Sequence, residues 1–284
     1  MNNIFLQKKE LLDDVLTMFT SSNVDSKNPL FDAINHSISA PGKRIRGVLT
    51  LLFCEKLGVS DEQAVPFAVA LELIHAYSLV HDDMPEMDND DFRRGIPTCH
   101  KKYGSATALL AGDAILNLSI EFLLARKKLY QPDRFINALD CLFTAAGHNG
   151  MLGGQAIDKA SENRMISLDE LLELHRKKTG ALLLAPIKIA EALSGTENEN
   201  YVNYSKHIGL AFQIRDDILD VRGSKEELGK SIGKDREENK STFVTLLGLD
   251  AADEYLSREL ASAKSLVNDP VLLWLAEYIG IRNK

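Results

Sequence analysis

The sequence has few of the residues that mark secreted, membrane-spanning or nucleic-acid-binding chains. It has only three cysteines and no CxxC pair, which argues against a disulfide framework and against a cysteine-based zinc site. No uncharged apolar run reaches about 18 residues, so we expect no membrane span. Acidic residues outnumber basic ones by 41 to 33, which argues against general binding to nucleic acid or to anionic membranes.

The overall composition is that of an ordinary folded protein. Hydrophobic residues make up 45% and charged residues 26% of the chain, which excludes wholesale disorder. The first residues, MNNIFLQKKE, lack the basic-then-apolar pattern of a secretion signal. We therefore expect a soluble, cytoplasmic protein.

Apolar residues recur at helical spacing through most of the chain. After Asp61, for example, Phe67, Ala70, Leu71 and Ile74 are three or four residues apart or adjacent, a pattern typical of one helix face. Similar patterns cover about 3–20, 43–57, 104–129, 133–147, 167–193, 198–222 and 250–279, with no alternating run bounded by hairpin turns. The sequence predicts an all-α fold in a single domain, 1–284, large enough for one core.

Two charged segments, 83–104 and 222–241, interrupt the helical pattern and are predicted to be loops. The second carries Gly223, Gly229 and Gly233 among many charged residues. It is either a solvated surface loop or a mobile lid over an anionic ligand.

An acidic cluster occupies residues 82–91, directly after an apolar helix and directly before Arg93 and Arg94. Its first carboxylates therefore emerge from the predicted core, which is unlike a solvated helix end. Paired arginines are suited to bidentate contacts with phosphate. The acidic residues are Asp82, Asp83, Glu86, Asp88, Asp90 and Asp91.

A second acidic cluster lies in AFQIRDDILD, where Asp216 and Asp220 fall at i and i+4 on one helix face. Two such carboxylates repel each other by about a few tenths of a kcal/mol, which a bound cation would offset. Carboxylates without a His or Cys cluster favour Mg²⁺ over zinc, and Mg²⁺ commonly bridges carboxylates to substrate phosphates. With basic residues at 43–46, at 93–94 and in 222–241, the sequence predicts a diphosphate site.

Together these motifs resemble those of the isoprenyl diphosphate synthase family, of the bacterial farnesyl diphosphate synthase type. The segments that carry the resemblance follow the family's order over nearly the whole chain: GKRIR (42–46), SLVHDDMPEMDNDDFRRGIPTCH (78–100), GGQAID (153–158), HRKKTGAL (175–182), AFQIRDDILDVRG (211–223), LGKSIGKD (228–235) and NKST (239–242). The resemblance implies an isoprenoid-synthase-type helical bundle around a deep central cavity. It also implies a homodimer, with the two Asp-rich motifs facing each other across the cavity mouth.

The activity that the resemblance implies is a Mg²⁺-dependent, head-to-tail condensation. Isopentenyl diphosphate joins dimethylallyl or geranyl diphosphate and gives farnesyl diphosphate, with geranylgeranyl diphosphate as the alternative product. The allylic diphosphate ionises, the isopentenyl double bond attacks the carbocation, and a proton is lost.

The family's functional residues map onto this chain position by position. The residues that match metal ligands are Asp82, Asp88 and Asp216, with Asp83, Asp217 and Asp220 as further ligands or as groups that support them. Those that match contacts to the allylic diphosphate are Arg93, Lys178, Lys230 and Lys240. Those that match the isopentenyl diphosphate site are Lys43, Arg46, His75 and Arg94. Polar groups near the developing cation match Thr179 and Gln213.

The spacing of the first motif does not suit an uninterrupted helix. Asp82 and Asp88 are six residues apart, about 240° around a helix, whereas Glu86 at i+4 would share a face with Asp82. The resemblance explains the spacing as a two-residue insertion that loops out and returns Asp88 to the metal. Glu86 is the alternative ligand.

Product length is expected to depend on Tyr77 and Ser78, which precede the first motif on the same helix. Tyr77 lies about 7–8 Å below Asp82 at 1.5 Å per residue. The resemblance implies that an aromatic residue here limits the product to farnesyl diphosphate. A core tyrosine that faces away from the substrate is the alternative.

Other interpretations explain less of the sequence. Glu72 and His75 form one ExxH, but a di-iron bundle needs a second. His81-Asp82 could belong to an HD-type metal phosphohydrolase, which would leave the second Asp-rich motif unexplained. A terpene cyclase would usually carry an Asn/Ser/Glu triad in place of the second motif, and a non-catalytic partner subunit would have lost one of the two motifs. Arg282 and Lys284 are either a frayed tail or residues that help to close the site.

Overall fold

The computed structural model describes residues 2–21, 28–222 and 240–282, and helices dominate these residues. The helices are α1 (Asn3–Ser21), α2 (Pro29–Ile38), α3 (Ile45–Lys56), α4 (Asp61–Asp82), α5 (Cys99–Tyr103), α6 (Ser105–Leu124), α7 (Pro132–Ala146), α8 (Met151–Ala160), α9 (Leu168–His175), α10 (Ala181–Ser194), α11 (Glu199–Arg222), α12 (Phe243–Leu247), α13 (Leu249–Ser265) and α14 (Pro270–Ile281). A 3₁₀ turn covers Lys127–Leu129, and a π-helical turn covers Arg176–Gly180. The all-α prediction is confirmed.

The chain divides into two compact units, Asn3–Ile136 and Asn137–Lys284. Each unit contains one of the two Asp-rich motifs. The expectation of a single domain over residues 1–284 stays a prediction.

Helix α4 forms the core of the first unit and ends at the first Asp-rich motif. It packs against α3 and α6, and Phe67, Leu71 and Ile74 are fully buried. Both α4 and α6 are long and apolar enough to cross a membrane by length and composition alone. In α4, 67% of the apolar stretch is buried inside the protein, so its composition is that of a helix at the centre of a core.

Helix α11 forms the core of the second unit and carries the second Asp-rich motif. It packs against α10, α13 and α14. Tyr204 on α11 is buried, and its hydroxyl donates a hydrogen bond of 2.7 Å to the Leu272 carbonyl of α14. This bond satisfies a polar group that would otherwise be costly to bury.

The C-terminal helical pattern, predicted as one segment over 250–279, is two helices. Residues 266–269 separate α13 from α14. Asp269 caps α14 by accepting hydrogen bonds from the amides of Val271 and Leu272 at 2.9 and 3.0 Å. Pro270 occupies the first helical turn of α14, where its missing N–H costs nothing. The prediction was wrong because apolar periodicity continues across this break.

The predicted loop 83–104 contains a hairpin that the sequence pattern did not indicate. Phe92–Arg93 pairs with Ile96–Pro97 in a two-stranded antiparallel sheet. Arg94 and Gly95 have φ of 54° and 81°, as a type I′ turn requires at both central residues. Gly favours this conformation but arginine does not, so the turn has no recognisable sequence signal. The same segment ends in α5.

Candidate active site

The GKRIR segment is held in place by its middle arginine. Arg44 has φ of 53° and precedes α3. Its partly buried side chain donates hydrogen bonds to Asp13 Oδ1 at 2.9 Å and to the carbonyls of Ile38 and Ala40. Arg44 therefore has a structural role, because it fixes the segment that carries Lys43 and Arg46 at the start of α3.

Glu72, a buried carboxylate on α4, supports the same segment from below. Its Oε1 accepts a hydrogen bond of 2.8 Å from the Gly47 amide, and its Oε2 lies 3.8 Å from Arg44 Nη1. A buried carboxylate is stable only with such partners. Glu72 therefore ties the GKRIR segment to α4.

His75 is one turn further along α4 and contacts a predicted diphosphate residue. Its Nε2 lies 3.3 Å from Arg46 Nη1. Burial, and then the charges of Arg46, Arg94, Arg93 and Arg44, lower the pKa of His75 well below its usual range. His75 is therefore neutral at neutral pH, and its ring nitrogen can accept a hydrogen bond from a guanidinium.

The hairpin places Arg94 beside the GKRIR segment. Arg94 Nη1 donates a hydrogen bond of 2.8 Å to the carbonyl of Pro41, 53 residues earlier in the chain. A Cβ on Gly42 would lie 2.8 Å from Arg94 Nη1, so the glycine leaves room for this guanidinium. Two motifs that are distant in sequence thus meet in the first unit, as expected of residues that share one anion.

A cavity of about 50 Å³ opens among these side chains. The charged residues and histidines that line it are His36, Arg44, Glu72, His75, Asp83, Arg93 and Arg94. Three guanidinium groups at one cavity favour an anionic ligand.

The first Asp-rich motif leaves α4 and folds back on itself. α4 ends at Asp82, and the Asp88 amide donates a hydrogen bond of 2.9 Å to the Asp82 carbonyl. The Asp90 amide likewise donates to the Asp83 carbonyl at 3.2 Å. Of the intervening residues, Asp83 and Met84 are buried, whereas Pro85 and Glu86 are exposed. The backbone therefore brings Asp88 next to Asp82, which a continuous helix would not.

Asp83 and Arg93 form an ion pair at the edge of this motif. Arg93 Nε and Nη2 each lie 2.5 Å from Asp83 Oδ1, and Nη2 also lies 3.4 Å from Asp90 Oδ2. Burial raises the pKa of Asp83 to about 7, against the lowering effect of Arg93. Asp83 thus positions Arg93, one of the predicted diphosphate contacts.

The two residues predicted to set product length lie directly before this motif. Tyr77 is buried, and its ring meets that of His81 edge to face at 5.9 Å between centroids. Ser78 Oγ donates to the His75 carbonyl at 2.9 Å.

In the second unit, the KT step of HRKKTGAL lies in the π-helical turn Arg176–Gly180. Such single turns often mark functional sites, because the extra residue redirects the side chains that follow. Lys178 Nζ forms an ion pair of 2.5 Å with Asp158 Oδ2 of α8. Gly154 of α8 packs directly on Lys178, since a Cβ there would lie 2.5 Å from Lys178 Cα.

Thr179 and Gln213 are joined in a partly buried series of hydrogen bonds. Thr179 Oγ1 donates to Gln213 Oε1 at 2.9 Å, and Gln213 Nε2 donates to Asp217 Oδ1 at 3.1 Å. Asp217 Oδ2 accepts a further bond of 2.8 Å from the Phe243 amide. The structure thus brings together three of the predicted site residues.

Asp216, the adjacent residue, points to a different partner. Arg282 Nη2 donates to Asp216 Oδ1 at 2.7 Å and to the Phe212 carbonyl at 2.9 Å. The Arg282 carbonyl in turn accepts two hydrogen bonds from Arg215. Arg282 is therefore anchored rather than frayed, while Lys284 lies outside the described residues.

These motifs match a known family over most of the chain. The model of the polyprenyl synthetase family matches residues 27–269. The chain belongs to the polyprenyl synthetase family.

Individual polyprenyl synthetase relatives match over nearly their full lengths. Farnesyl diphosphate synthase from Micrococcus luteus is 42% identical, over 98% of this chain and 100% of its own. Geranylgeranyl diphosphate synthase from Cyanophora paradoxa is 39% identical, over 98% and 95%. The crystal structure of geranyltransferase from Helicobacter pylori, complexed with magnesium and isoprenyl diphosphate, is 29% identical, with a TM-score of 0.81 over 98% of this chain and 97% of its own.

The predicted metal ligands of this polyprenyl synthetase suit Mg²⁺ by their chemistry. Within residues 2–21, 28–222 and 240–282, no group of three or more His, Cys, Asp or Glu side chains could hold a metal by itself. Asp82 and Asp88 are neighbours, and the Asp216 side chain is 36% exposed. Mg²⁺ keeps several waters and uses few protein carboxylates together with substrate phosphates, so the carboxylates of each unit are of the chemical type that it binds.

Sequence reasoning left part of the polyprenyl synthetase site unassigned. Asp158 pairs with the predicted functional residue Lys178, and Arg44 and Glu72 hold the segment that carries Lys43 and Arg46. A glutamate within the apolar run of α4 was the signal for Glu72, and GGQAID contained Asp158. Lys230 lies outside the described residues, and Lys240 precedes α12.

Proposed function

We propose that this polyprenyl synthetase condenses isopentenyl diphosphate head to tail with dimethylallyl and geranyl diphosphate and releases farnesyl diphosphate. The observation that supports this most is the near full-length match to a relative named farnesyl diphosphate synthase. The relevant residues are also present, namely both Asp-rich motifs, the arginine pair and the KT step.

The cavity of the first unit suits the diphosphate of isopentenyl diphosphate. Arg94 and His75 line this cavity, and neutral His75 orients Arg46 at 3.3 Å, so both arginines supply fixed positive charge beside it. Lys43 extends the basic surface from the start of α3. Guanidinium groups bind phosphate oxygens through parallel hydrogen bonds. These residues would therefore hold isopentenyl diphosphate, the substrate that keeps its diphosphate during the reaction.

The allylic diphosphate must be held by groups that also stabilise it as it leaves. Arg93, positioned by Asp83, and Lys178, positioned by Asp158, supply such charges. Lys230 and Lys240 are proposed to add to them. Fixed charges of this kind stabilise a transition state in which negative charge develops on the leaving group.

Asp82, Asp88 and Asp216 are proposed to hold Mg²⁺. When bound, the metal would neutralise charge on the departing diphosphate. The Helicobacter pylori neighbour, whose crystal structure is a complex with magnesium and isoprenyl diphosphate, supports this assignment.

The carbocation formed on ionisation needs nearby electron-rich groups and protection from water. Thr179 and Gln213 are oxygen-bearing side chains that are linked at 2.9 Å. We propose that their oxygens lie beside the developing cation and hold the allylic carbon in place while the isopentenyl double bond attacks.

One assay tests the activity directly. Purified protein receives geranyl diphosphate, labelled isopentenyl diphosphate and Mg²⁺, and the products are treated with phosphatase and separated as alcohols. Labelled farnesol is the expected product. Release of phosphate without chain extension would refute the proposal and would favour the phosphohydrolase alternative.

Farnesyl diphosphate is proposed as the main product because Tyr77 limits chain growth. Tyr77→Ala should shift the products toward 20 carbons and longer, while Tyr77→Phe, which keeps the ring, should leave them unchanged. The alternative product, geranylgeranyl diphosphate, is favoured by the match to the Cyanophora paradoxa enzyme. Identical product distributions from wild type and Tyr77→Ala would show that Tyr77 is not the limit.

We also propose a cytoplasmic homodimer. α6 leaves Leu109 and Leu110 exposed by 46% and 56%, and only 39% of its apolar stretch is buried. A second copy that covers this face would remove the apolar surface from water. Light scattering after size exclusion should give twice the chain mass, and Leu110→Asp should shift it toward the monomer.

A further inference from the structure

We propose that Asp217 acts as a positioning residue that fixes the orientation of the Gln213 amide and, through it, the hydroxyl of Thr179. The inference rests on the proposed function, because it concerns the side chains assigned to the developing cation. It gives Asp217 a task different from that of its neighbour Asp216.

The contacts of Asp217 show that both of its oxygens are engaged by protein donors. Oδ2 accepts a hydrogen bond of 2.8 Å from the Phe243 amide, and Oδ1 accepts one of 3.1 Å from Gln213 Nε2. Phe243 is the first residue of α12, so its N–H has no partner within its own helix. The Asp217 side chain is only 4% exposed.

The chemistry of these groups sets which group donates and which accepts in each hydrogen bond from Asp217 to Thr179. An ionised carboxylate only accepts hydrogen bonds, whereas an amide side chain has one donor end and one acceptor end. Because Asp217 offers only acceptors, the NH₂ of Gln213 must face it. The Gln213 oxygen then faces Thr179, 2.9 Å from Oγ1.

The last link concerns the threonine hydroxyl. A hydroxyl has one proton and two lone pairs. When Thr179 donates its proton to Gln213, its lone pairs can face an electron-poor carbon. Reversal of the Gln213 amide would turn Thr179 into an acceptor and would direct its proton toward the substrate.

The neighbouring groups do not offer another way to hold this orientation. His175 Nε2 lies 3.9 Å from Asp217 Oδ2, beyond hydrogen-bond distance, and neither ring nitrogen of His175 has a hydrogen-bond partner among the described residues. The more exposed Asp216 instead pairs with Arg282. Asp217 is thus the group that orients Gln213.

The first variant, Asp217→Asn, keeps the shape of the side chain but replaces one of its two hydrogen-bond acceptors by a donor. If the amide oxygen of the introduced asparagine keeps the Phe243 amide, its NH₂ faces Gln213 and forces the glutamine to turn over. We expect kcat to fall by about 10²-fold, the cost typical of a misplaced catalytic group, with KM for isopentenyl diphosphate unchanged. Thermal melting and circular dichroism check that the fold is intact.

The decisive variant is the swap Asp217→Asn with Gln213→Glu. Here the NH₂ of the introduced asparagine donates to the introduced glutamate, whose other oxygen accepts the Thr179 proton. The original polarity at Thr179 therefore returns with the same total charge. We expect the swap to recover at least about tenfold of the kcat lost in Asp217→Asn. Gln213→Glu alone sets two carboxylates against each other and should be impaired, so it serves as the matched reference if Asp217→Asn fails to fold.

Metal binding separates this inference from the alternative that Asp217 is itself a ligand. Mn²⁺ affinity, measured by electron paramagnetic resonance with inorganic diphosphate present, should fall in Asp217→Asn through the lost negative charge and should return to within about twofold of wild type in the swap, which restores the total charge. A kcat for the swap no better than both single variants, or an equal loss of Mn²⁺ affinity in Asp217→Asn and in the swap, would overturn the proposal. Labelled farnesol from wild type, measured in parallel, tests the proposed function independently.

Discussion

Gly154→Ala should damage the site through one added methyl group. Gly154 lies on α8 directly against the π-helical turn, and an alanine Cβ would lie 2.5 Å from Lys178 Cα. Ordinary contact begins at 3.4 Å, and the backbone nitrogen of Lys178 would lie closer still than its Cα, so the two backbones must separate by more than about 0.9 Å. The nearest atoms are backbone, which cannot rotate away. Lys178 would therefore move relative to its partner Asp158.

The expected effects on stability and on activity differ in size. Alanine in place of a helical glycine gains about 1 kcal/mol of helix propensity, while overpacking costs about 1–3 kcal/mol. The free energy of unfolding should thus fall by no more than about 2 kcal/mol. A displacement near 1 Å in a catalytic group can cost about 10²-fold in rate, so we expect kcat to fall by that factor.

Steady-state kinetics with geranyl diphosphate and isopentenyl diphosphate, run beside thermal melts, provide the test. KM for isopentenyl diphosphate should stay unchanged, because its proposed binding residues lie in the other unit. Leu152→Ala, on the same helix but 48% exposed, is the matched control and should keep wild-type kinetics. A folded Gly154→Ala protein with wild-type kcat would refute the reasoning that the position of Lys178 limits turnover.

Three further predictions concern the metal ligands, the isopentenyl site and acid stability. Asp82→Ala and Asp216→Ala should each lower kcat by at least about 10²-fold with little change in melting temperature; near-wild-type rates would exclude these carboxylates as ligands. Lys43→Ala and Arg94→Ala should raise KM for isopentenyl diphosphate about tenfold, and an effect confined to geranyl diphosphate would show that the two substrate sites are exchanged. Burial lowers the pKa of His175 to about 3, so the unfolded chain takes up a proton below about pH 6.5 that the folded chain does not. Stability should therefore fall from about pH 6.5 toward about pH 3, and His175→Phe should flatten this dependence in pH-dependent melts; an unchanged slope would contradict it.

The fold class and most helices could be predicted because apolar periodicity reports burial directly. Short elements were missed because they contain too few residues to show such periodicity. α5 and α12 have five residues each, too few to show a period of 3.6. The hairpin depends on Arg94 in a left-handed conformation, which tertiary contacts such as its bond to Pro41 stabilise but which no local pattern predicts.

The residues of the candidate site also divide into those that the sequence could predict and those that it could not. Residues whose proposed chemistry needs a carboxylate or an ammonium group, such as Asp82, Asp216 and Lys178, could be predicted from the sequence and its resemblance. Residues that hold them could not, since the function of Asp158 or Glu72 depends on which partner lies across the fold. Arg282 fits two interpretations in the sequence, and its hydrogen bond to Asp216 argues against the frayed tail.

The π-helical turn at Arg176–Gly180 limits how the protein can be engineered. It joins α9 and α10 into a nearly continuous helical stretch, so no loop is present there to absorb a change in length. Each inserted or deleted residue would rotate α10 by about 100° relative to α9 and would turn buried Leu183 and Ile187 away from the core. Libraries that aim at new product lengths can therefore vary side chains between 168 and 194, but they must keep the number of residues.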